Sequence, residues 1–549
     1  MAEALQTPPS PDVSRTRGDV GRRTSSARLV ADQVVHASRD AWRTPASMLV
    51  TLIFPVLFLV VSALAVGDVR SGPAAEAVIQ RLVPAAAVFA TAMAAFVMLA
   101  FGVAVAVEQG VLKRLRGTPL PLWAHLAGRT VAATWVAVLG TAIMVVVGVA
   151  GYGLEVTART LPAALLGLLV MIASFAALGF AVAAVVRSSQ AVLSLTMGAV
   201  VLLGFVSDLF AFGTTTPRWL EAIGWALPLR HAVEVLAAPF EVGVSGGGVA
   251  VGSLVALLVW GVAGALVALR FLGRERAMAS GPRLTGRSGR RARPAGAFAH
   301  GSSSGLGLIW GQLRHANRST WREPVFAFFA LAMPTLFVVL LPTVTGNPDI
   351  DGVSFAVSMT TGMPVFGLAL TAYVALPETV AAARDKGLLK RLRGTPVPAW
   401  AYLTGRIMSV FWVGALTVTI VLGAGWLLYD ATPVTSGLPV LILVLLAGTA
   451  CLAALGMAVA SLAPTAESVP AITLASFLPL VFVSGIFPLG DALPEAIAAA
   501  ASWLPLAPMV DATRAAFTAG AVAGRELAIV GGWTVLGIVV ALTRFRWEP

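Results

Sequence analysis

The chain has 549 residues, of which 58% are hydrophobic and only 12% are charged, and its mean hydropathy is +0.87. Soluble domains carry about 25% charged residues, so this composition excludes a water-soluble globule and indicates a membrane protein. The single cysteine, Cys451, excludes an intrachain disulfide and a cysteine-based metal site. The net charge of +12 suits nucleic-acid binding or membrane topology, and the positions of the charges decide between them.

Residues 1–27 are rich in Pro, Ser, Thr and Arg and have no hydrophobic face. A cleavable signal needs its apolar core close to the start of the chain, whereas the first long apolar run begins only near Met48. The composition is typical of a disordered tail, which we expect to stay in the cytoplasm.

Apolar runs long enough to span a membrane, which takes about 20 residues, follow one another along the chain. We place the first six at residues 46–66, 82–107, 127–150, 161–186, 190–212 and 249–272. We place six more at residues 325–345, 355–376, 404–428, 437–462, 467–488 and 524–544. The predicted fold is all-α and integral to the membrane, with one six-span unit in residues 28–273 (the first half) and another in residues 306–549 (the second half).

A short amphipathic segment precedes the first span of each half. In the first half its apolar side chains share one helical stripe, formed by Val30, Val34, Ala37 and Ala41. In the second half the stripe is formed by Leu306, Ile309, Trp310 and Leu313. The pattern predicts helices in the cytoplasmic interface, anchored by Trp42 and by Trp310 and Trp321. An extension of the first span is the alternative.

Residues 274–305 join the halves within a strongly basic region. Between Arg270 and Glu323, eleven arginines face only two glutamates, Glu275 and Glu323. We interpret residues 274–305 as a flexible cytoplasmic linker held near anionic lipid, which we favour over a nucleic-acid site.

The two halves are copies of one unit. The sequence HASRDAWRTP at 36–45 matches HANRSTWREP at 315–324, an offset of 279, and LKRLRGTP at 112–119 recurs at 389–396, an offset of 277. Because six is an even number of spans, both halves begin and end on the same side, and the axis that relates them runs along the membrane normal.

Basic residues concentrate in the loop between the second and third spans of each half. The first loop carries Lys113, Arg114, Arg116 and Arg129, and the second carries Arg384, Lys386, Lys390, Arg391, Arg393 and Arg406. Positively charged loops face the cytoplasm, which predicts that these loops, the linker and both termini are cytoplasmic.

The chemistry-bearing residues exclude several kinds of protein. No lysine follows a glycine, so the phosphate-binding pattern GxxxxGK[ST] is missing and the chain cannot bind a nucleotide in that way. The acids near apolar runs fall at span ends: Glu108, Asp208, Glu378 and Glu467. An ion-coupled carrier needs carboxylates within its spans, so the sequence predicts no internal energy source. No span carries a central cluster of His, Glu and Asp, so the sequence predicts neither a metal site nor a catalytic site.

The residues copied with the greatest fidelity run from Glu108 to Arg116 and from Asp385 to Arg393, which we call the basic elements. Their apolar residues recur at i, i+1 and i+4 beside cations, and Gly117, Thr118 and Pro119 must end the first helix. A short helix copied on one face suits the docking of two copies of a soluble partner. Lipid-headgroup contact is the alternative, but it does not explain the near-identity.

Taken together, these features resemble the permeases of type-2 ABC exporters. The resemblance rests on six spans per unit, an interfacial helix, the element E/D-x-G-x-L-K-R-L-R-G-T-P and a proline-containing segment between the fifth and sixth spans. It covers residues 28–273 and 306–546, and the duplicated form resembles actinobacterial antibiotic exporters of the tetronasin-resistance kind. It implies two soluble ATPase subunits, which bind the ATP and Mg, docked below the membrane.

Carried over by this resemblance, the contacts to the ATPase would be Glu108, Gly110, Lys113, Arg114, Leu115 and Arg116, with Asp385, Gly387, Lys390, Arg391, Leu392 and Arg393. Because the acid is Glu in one copy and Asp in the other, the two docking sites are expected to be unequal. Half re-entrant outer segments would match residues 219–241 and 494–513, where the copies diverge at Arg230-His231 and Ala507-Pro508.

By the same resemblance, a transport route would lie between the halves, lined by the second and fifth spans. Candidate lining residues are Phe89, Met93, Phe96 and Phe205, with Met363, Phe366, Phe477 and Phe482. Ordinary helix packing or lipid contact is the alternative for each. Such a lining suits an apolar, drug-like or lipid-like cargo.

The predicted function is that of a multi-pass permease in the bacterial plasma membrane, which exports amphiphilic compounds such as antibiotics with energy from a separate ATPase dimer. The direction of transport rests on the resemblance alone. The alternatives are an efflux carrier driven by an ion gradient and an ABC exporter of lipid or polysaccharide. A scaffold or a membrane enzyme is disfavoured because no catalytic constellation is present.

Overall fold

A computed structural model describes residues 26–43, 49–67, 73–115, 120–186, 188–209, 217–241, 248–278, 310–311, 313–314, 317, 321, 328–350, 352–385, 387–393, 399–466, 468–487 and 494–544. Within this part of the chain the structure is almost entirely helical. Its two-residue strands, Asp349–Ile350 and Val353–Ser354, pair antiparallel.

The described residues of the first half are almost entirely helical. Its α-helices are Ser26–Arg43, Phe54–Gly67, Pro73–Ala92, Leu99–Glu108, Val111–Leu115, Leu122–Tyr152, Leu161–Val185, Ser189–Val206, Arg218–Trp225, Pro228–Ala237 and Val251–Met278. Its π-helical segments are Leu49–Ile53 and Met93–Met98, and a 3-10 turn covers Ala238–Phe240.

The second half repeats this order. Its α-helices are Met333–Thr345, Phe355–Ala369, Leu376–Asp385, Leu388–Arg393, Ala399–Tyr429, Leu438–Leu462, Ser468–Val483, Glu495–Ala501, Leu506–Ala519 and Gly524–Arg544. Its π-helical segments are Phe328–Ala332 and Leu370–Ala375, and a 3-10 turn covers Thr435–Gly437.

Nine helices among the described residues are long and apolar enough to cross a membrane: Val78–Glu108, Trp123–Tyr152, Leu161–Val185, Ser189–Val206, Val251–Phe271, Phe355–Asp385, Tyr402–Tyr429, Thr435–Leu462 and Gly524–Arg544. Shorter apolar helices, Thr51–Val60, Ala330–Thr345 and Ser468–Val483, lie where the sequence predicts the two first spans and the second half's fifth span. Every predicted span therefore overlaps an apolar helix, which confirms an all-helical, multi-pass protein.

π-helical turns lie at equivalent places in the first and second spans of both halves. Leu49–Ile53 and Phe328–Ala332 are separated by the offset of 279, and Met93–Met98 and Leu370–Ala375 by the offset of 277. A π turn holds an extra residue against the regular helical pattern, and such turns occur often at functional sites. The duplication therefore extends to the local backbone conformation of the first and second spans.

The halves meet through reciprocal contacts between first and fifth spans. Phe54, from the first span of the first half, lies 6.4 Å from Phe482 in the fifth span of the second half, between ring centroids. Phe205, from the fifth span of the first half, lies 5.3 Å from Phe337 in the first span of the second half. Each first span therefore packs against the other half's fifth span.

The N-terminal helix, Ser26–Arg43, packs against the third span. Gln33 Oε1 lies 2.9 Å from His125 Nδ1, and Trp135 Nε1 donates a hydrogen bond of 2.9 Å to Ser38 Oγ. This packing favours a separate helix over an extension of the first span. In the second half, most of the equivalent segment lies outside the described residues, although Trp310 and Trp321 are described and exposed.

A glycine allows the fourth span to approach the second closely in the second half. A Cβ at Gly456 would lie 2.5 Å from the carbonyl oxygen of Ala372 and 3.3 Å from Cα of Tyr373, which belong to the π-helical turn. The first half has Gly179 at the equivalent place, where a Cβ would lie 3.0 Å from the carbonyl oxygen of Phe96.

We expect Gly456→Ala to lower the melting temperature of the purified protein in detergent, because overpacking of this kind costs about 1–3 kcal/mol. Gly423→Ala is the matched control, since a Cβ at Gly423 meets nothing within 4 Å and alanine favours a helix by roughly 0.5–1 kcal/mol. Tryptophan fluorescence during heating measures both. Equal stability of the two variants would contradict the close packing.

Candidate functional site

Both basic elements begin with a turn in the backbone. The second-span helices end at Glu108 and Asp385, and glycines follow with left-handed φ angles of +69° at Gly110 and +65° at Gly387. Glycine adopts this conformation without steric cost, and it ends helices. New helices then start at Val111 and Leu388. The sequence predicted one helix from Glu108 to Arg116, but in the structure the acid and the glycine precede the basic helix.

The basic helices hold apolar residues against the spans and expose cations. Leu389 is buried beside Ala383 and Tyr402, at the ends of the second and third spans, while Lys390 is exposed. Arg114 is also exposed, and its Nη2 donates a hydrogen bond of 3.0 Å to the carbonyl oxygen of Gln109. Arg116 and the side chains of Lys113, Arg391, Leu392 and Arg393 lie outside the described residues.

The two acids accept hydrogen bonds from equivalent places at the start of the fifth span, where Ser189 is the first residue of its helix and Ala466 lies just before the helix Ser468–Val483. Glu108 accepts from the backbone N–H of Ser189 at 2.9 Å and from its hydroxyl at 2.6 Å. Asp385 accepts from the backbone N–H of Ala466 at 2.7 Å. Glu108 and Asp385 are separated by the offset of 277, and so are Ser189 and Ala466. We call these two contacts the carboxylate bridges.

Arg384 adds contacts that are particular to the second half. Its side chain is 5% exposed, and its guanidinium donates to the carbonyl oxygens of Ala460 at 3.1 Å and Ala463 at 3.0 Å, at the end of the fourth span. Its Nε also donates to Asp385 Oδ1 at 3.3 Å. The equivalent residue of the first half is Val107, which cannot make these contacts. From the sequence, Arg384 was interpreted only as one of the basic residues that place this loop on the cytoplasmic side of the membrane.

The predicted lining residues are buried, apart from the half-buried Phe96. Phe205 and Phe482 contact rings of the opposite half. Phe89, Phe366 and Phe477 contact rings of their own half. Phe96 instead packs on Phe175 of the fourth span, with ring centroids 6.4 Å apart, and Met93 and Met363 lie in the apolar core of their own halves.

A continuous set of rings connects the halves, which we call the aromatic cluster: Phe54, Phe58, Phe89, Phe205, Phe337, Phe366, Phe477, Phe482 and Phe487. Within each half, a first-span ring contacts a second-span ring, with centroids 6.0 Å apart for Phe58 and Phe89 and 6.3 Å apart for Phe337 and Phe366. The contacts of Phe54 with Phe482 and of Phe205 with Phe337 join the rings of the two halves.

Sequence reasoning missed the first-span members of this cluster. Phe54 and Phe58 are four residues apart on one helical face, and Phe58 and Phe337 keep the offset of 279. This periodicity and the repeat were the available signals. They were not sufficient, because the position of a first span beside the opposite half has no local signature.

An ion-pair network occupies the opposite end of the first half's spans. Arg81 Nη2 lies 2.6 Å from Glu234 Oε1, and Arg230 Nη1 lies 3.2 Å from Asp208 Oδ2. These residues join the second span, the end of the fifth span and the helix Pro228–Ala237.

The second half replaces this network with a different contact. Gly485 is the equivalent of Asp208, and Arg514 Nη2 donates to its carbonyl oxygen at 3.3 Å. Both halves nevertheless have a pair of short helices here, and Glu495–Ala501 and Leu506–Ala519 meet at 84°. The predicted re-entrant segments thus each contain two consecutive helices, and they differ in charge.

The described residues contain no group of three His, Cys, Asp or Glu side chains that could hold a metal ion. The two buried or half-buried histidines are occupied by structural contacts. His125 lies beside Gln33, and His231 Nε2 lies 3.0 Å from the carbonyl oxygen of Trp225. What the geometry offers is therefore two exposed basic helices at one end and an apolar, ring-filled interface between the halves.

Comparison with known protein families gives two matches along this chain. The family described as ABC-2 type transporter matches residues 35–240 and residues 308–518. Each match runs from the segment before a first span to the pair of helices between the fifth and sixth spans, and together they cover well over half of the chain. No curated protein matches the chain.

Truncating a cross-half ring should destabilise the protein. Phe205 is 1% exposed, so Phe205→Ala leaves a cavity and is expected to cost about 3 kcal/mol. Trp426→Ala, at a residue 57% exposed on the third span of the second half, is the control and should change the melting temperature little. Thermal unfolding in detergent measures both variants. A melting temperature of Phe205→Ala equal to that of the wild type would contradict the packed cluster.

Proposed function

The chain belongs to the ABC-2 type transporter family, whose members are membrane components of ABC exporters, and we propose that it supplies both permease halves of one ATP-driven exporter of amphiphilic compounds. The family domain is a transmembrane permease and is not catalytic by itself. The observation that carries the proposal is the presence, in both copies of this domain, of a basic helix at the same end of the second span.

The two basic helices are suited to bind one ATPase subunit each. Burial of Leu389 fixes the second helix to the spans, while Lys390 extends into solvent, and Arg114 is exposed on the first helix. An exposed cation on a rigid helix attracts and orients an acidic partner surface. ATP and Mg would be held by the partner, because no lysine in this chain follows a glycine.

The proposed arrangement has twelve spans and a pseudo-two-fold axis along the membrane normal. It is supported by the reciprocal contacts of first and fifth spans and by the π-helical turns at equivalent places. The basic elements, the linker and both termini would then face the cytoplasm of a bacterial cell, as the positive-inside rule implies.

The aromatic cluster supports an apolar or amphiphilic cargo. With the rings packed together, the interface between the halves is closed, and a cargo would pass only when the two halves separate. Separated rings expose flat apolar faces, which bind hydrophobic compounds with few polar contacts. Antibiotics and drugs with large apolar surfaces fit this chemistry. A lipid would fit it as well, and an ABC exporter of lipid or polysaccharide is therefore the second candidate.

Charge reversal of both basic helices should abolish ATPase binding. The variant Lys113→Glu, Arg114→Glu, Lys390→Glu, Arg391→Glu places like charges against the partner, and we expect a loss of more than about tenfold in the ATPase that co-purifies with the wild-type chain. Arg525→Glu, which reverses a 57% exposed cation at the other end of the spans, is the control. Undiminished binding and efflux in the fourfold variant would contradict the docking role.

The proposed orientation is tested by cysteine labelling. Cys451 is buried, so a new cysteine at an exposed site should dominate the reaction with a membrane-impermeant maleimide. Lys390→Cys should react in inside-out vesicles and not in intact cells, whereas Val522→Cys, at a residue 63% exposed between the last two helices, should react in intact cells. The reverse pattern would show that the basic helices face outward.

A further inference from the structure

We propose that the carboxylate bridges transmit movement of the basic helices to the fifth spans, and that Arg384 makes this connection stronger in the second half. The inference rests on the proposed function and names the residues that would perform its coupling step. Glu108 and Asp385 then act as positioning residues within the permease, and direct contact with the ATPase is not their role.

The location of the two acids is unfavourable for the helices that carry them. Each acid is the last residue of its second-span helix, where the negative end of the helix dipole repels a carboxylate. Ser189 begins the next helix of the first half, where free backbone N–H groups attract an anion. Each acid is therefore stabilised by the start of the fifth span and not by its own helix. Such a contact links the second span to the fifth.

Apolar packing beneath each bridge joins the same elements. In the first half, Val103 of the second span and Val192 of the fifth belong to one buried cluster. In the second half, Ala381 and Val469 share an equivalent buried cluster. Close-packed interiors transmit displacement, so movement at the end of a second span must shift the start of the fifth span.

The fifth spans connect the bridges to the aromatic cluster. Phe205 lies sixteen residues beyond Ser189, and Phe482 lies sixteen residues beyond Ala466. In the first half both residues lie in one helix, so at 1.5 Å per residue this separation is about 24 Å. Both rings contact the first span of the opposite half. In each half, a basic helix that moves would therefore move a ring in the interface.

Arg384 makes the two halves unequal. Arg384 directly precedes the second basic element, and its bonds to Ala460 and Ala463 connect the end of the second span to the end of the fourth, in addition to the bridge from Asp385 to the start of the fifth. In the first half, Val107 stands at the equivalent place. If Asp385 is lost, Arg384 still joins the end of the second span to the fourth span. If Glu108 is lost, the side chain of Val107 offers no equivalent hydrogen bond.

The test uses the full chain with the ATPase that co-purifies with it, in proteoliposomes, and measures ethidium transported per ATP hydrolysed. Glu108→Ala should keep the ATPase bound and lower this ratio about tenfold, since charge-assisted hydrogen bonds are lost. Glu108→Gln keeps the shape and one acceptor oxygen and should give an intermediate ratio. Glu108→Asp, which carries the acid of the other half, should restore most of it.

The inequality of the halves is tested in the same assay. Asp385→Ala should lower the ratio less than Glu108→Ala does, and adding Arg384→Val should bring the loss to that of Glu108→Ala. Equal losses in the two single variants would overturn the role of Arg384. Loss of bound ATPase in proportion to transport would show that the acids contact the ATPase, and an unchanged ratio would overturn the bridges. If the wild type shows no ATPase-dependent transport, the proposed function itself fails.

Discussion

The packing of each first span against the fifth span of the opposite half is the contact on which the rest of the structure depends. Lipid is as apolar as phenylalanine, so burial alone gives no preference for this contact, and close packing of rings must supply the attraction. Phe54 with Phe482 and Phe205 with Phe337 hold the halves together on both sides. A packed interface has discrete arrangements and does not deform continuously, which suits a permease with two states.

Polar contacts give this apolar assembly its specific connections. At the basic end, Glu108 and Asp385 join the second spans to the starts of the fifth spans, through N–H groups 81 residues further along the chain. At the other end, Arg81 and Arg230 join acids in the first half, while Arg514 bonds to a backbone carbonyl in the second. The duplicated backbone thus carries two different sets of polar residues, and the halves need not respond equally to one signal.

Part of the candidate site could be predicted because it lies in repeated local patterns. Phe205 and Phe482, which keep the offset of 277, were predicted to lie between the halves, and each contacts a ring of the opposite half. The first-span rings were missed because they meet the site through the other half. Arg384 was taken for an orienting cation, since nothing in its neighbours along the chain indicates the carbonyl groups that it binds.

Composition and periodicity by themselves determined that the chain is helical, crosses the membrane many times and contains one unit twice, because apolar runs and repeats are local properties of a sequence. The break between the second span and the basic helix depends on left-handed Gly110 and Gly387, and only the structure showed where the helices end. The tertiary structure alone decided which spans of opposite halves meet and which groups the acids bind. Those choices depend on the shapes of packed surfaces and on hydrogen bonds between residues far apart in the chain.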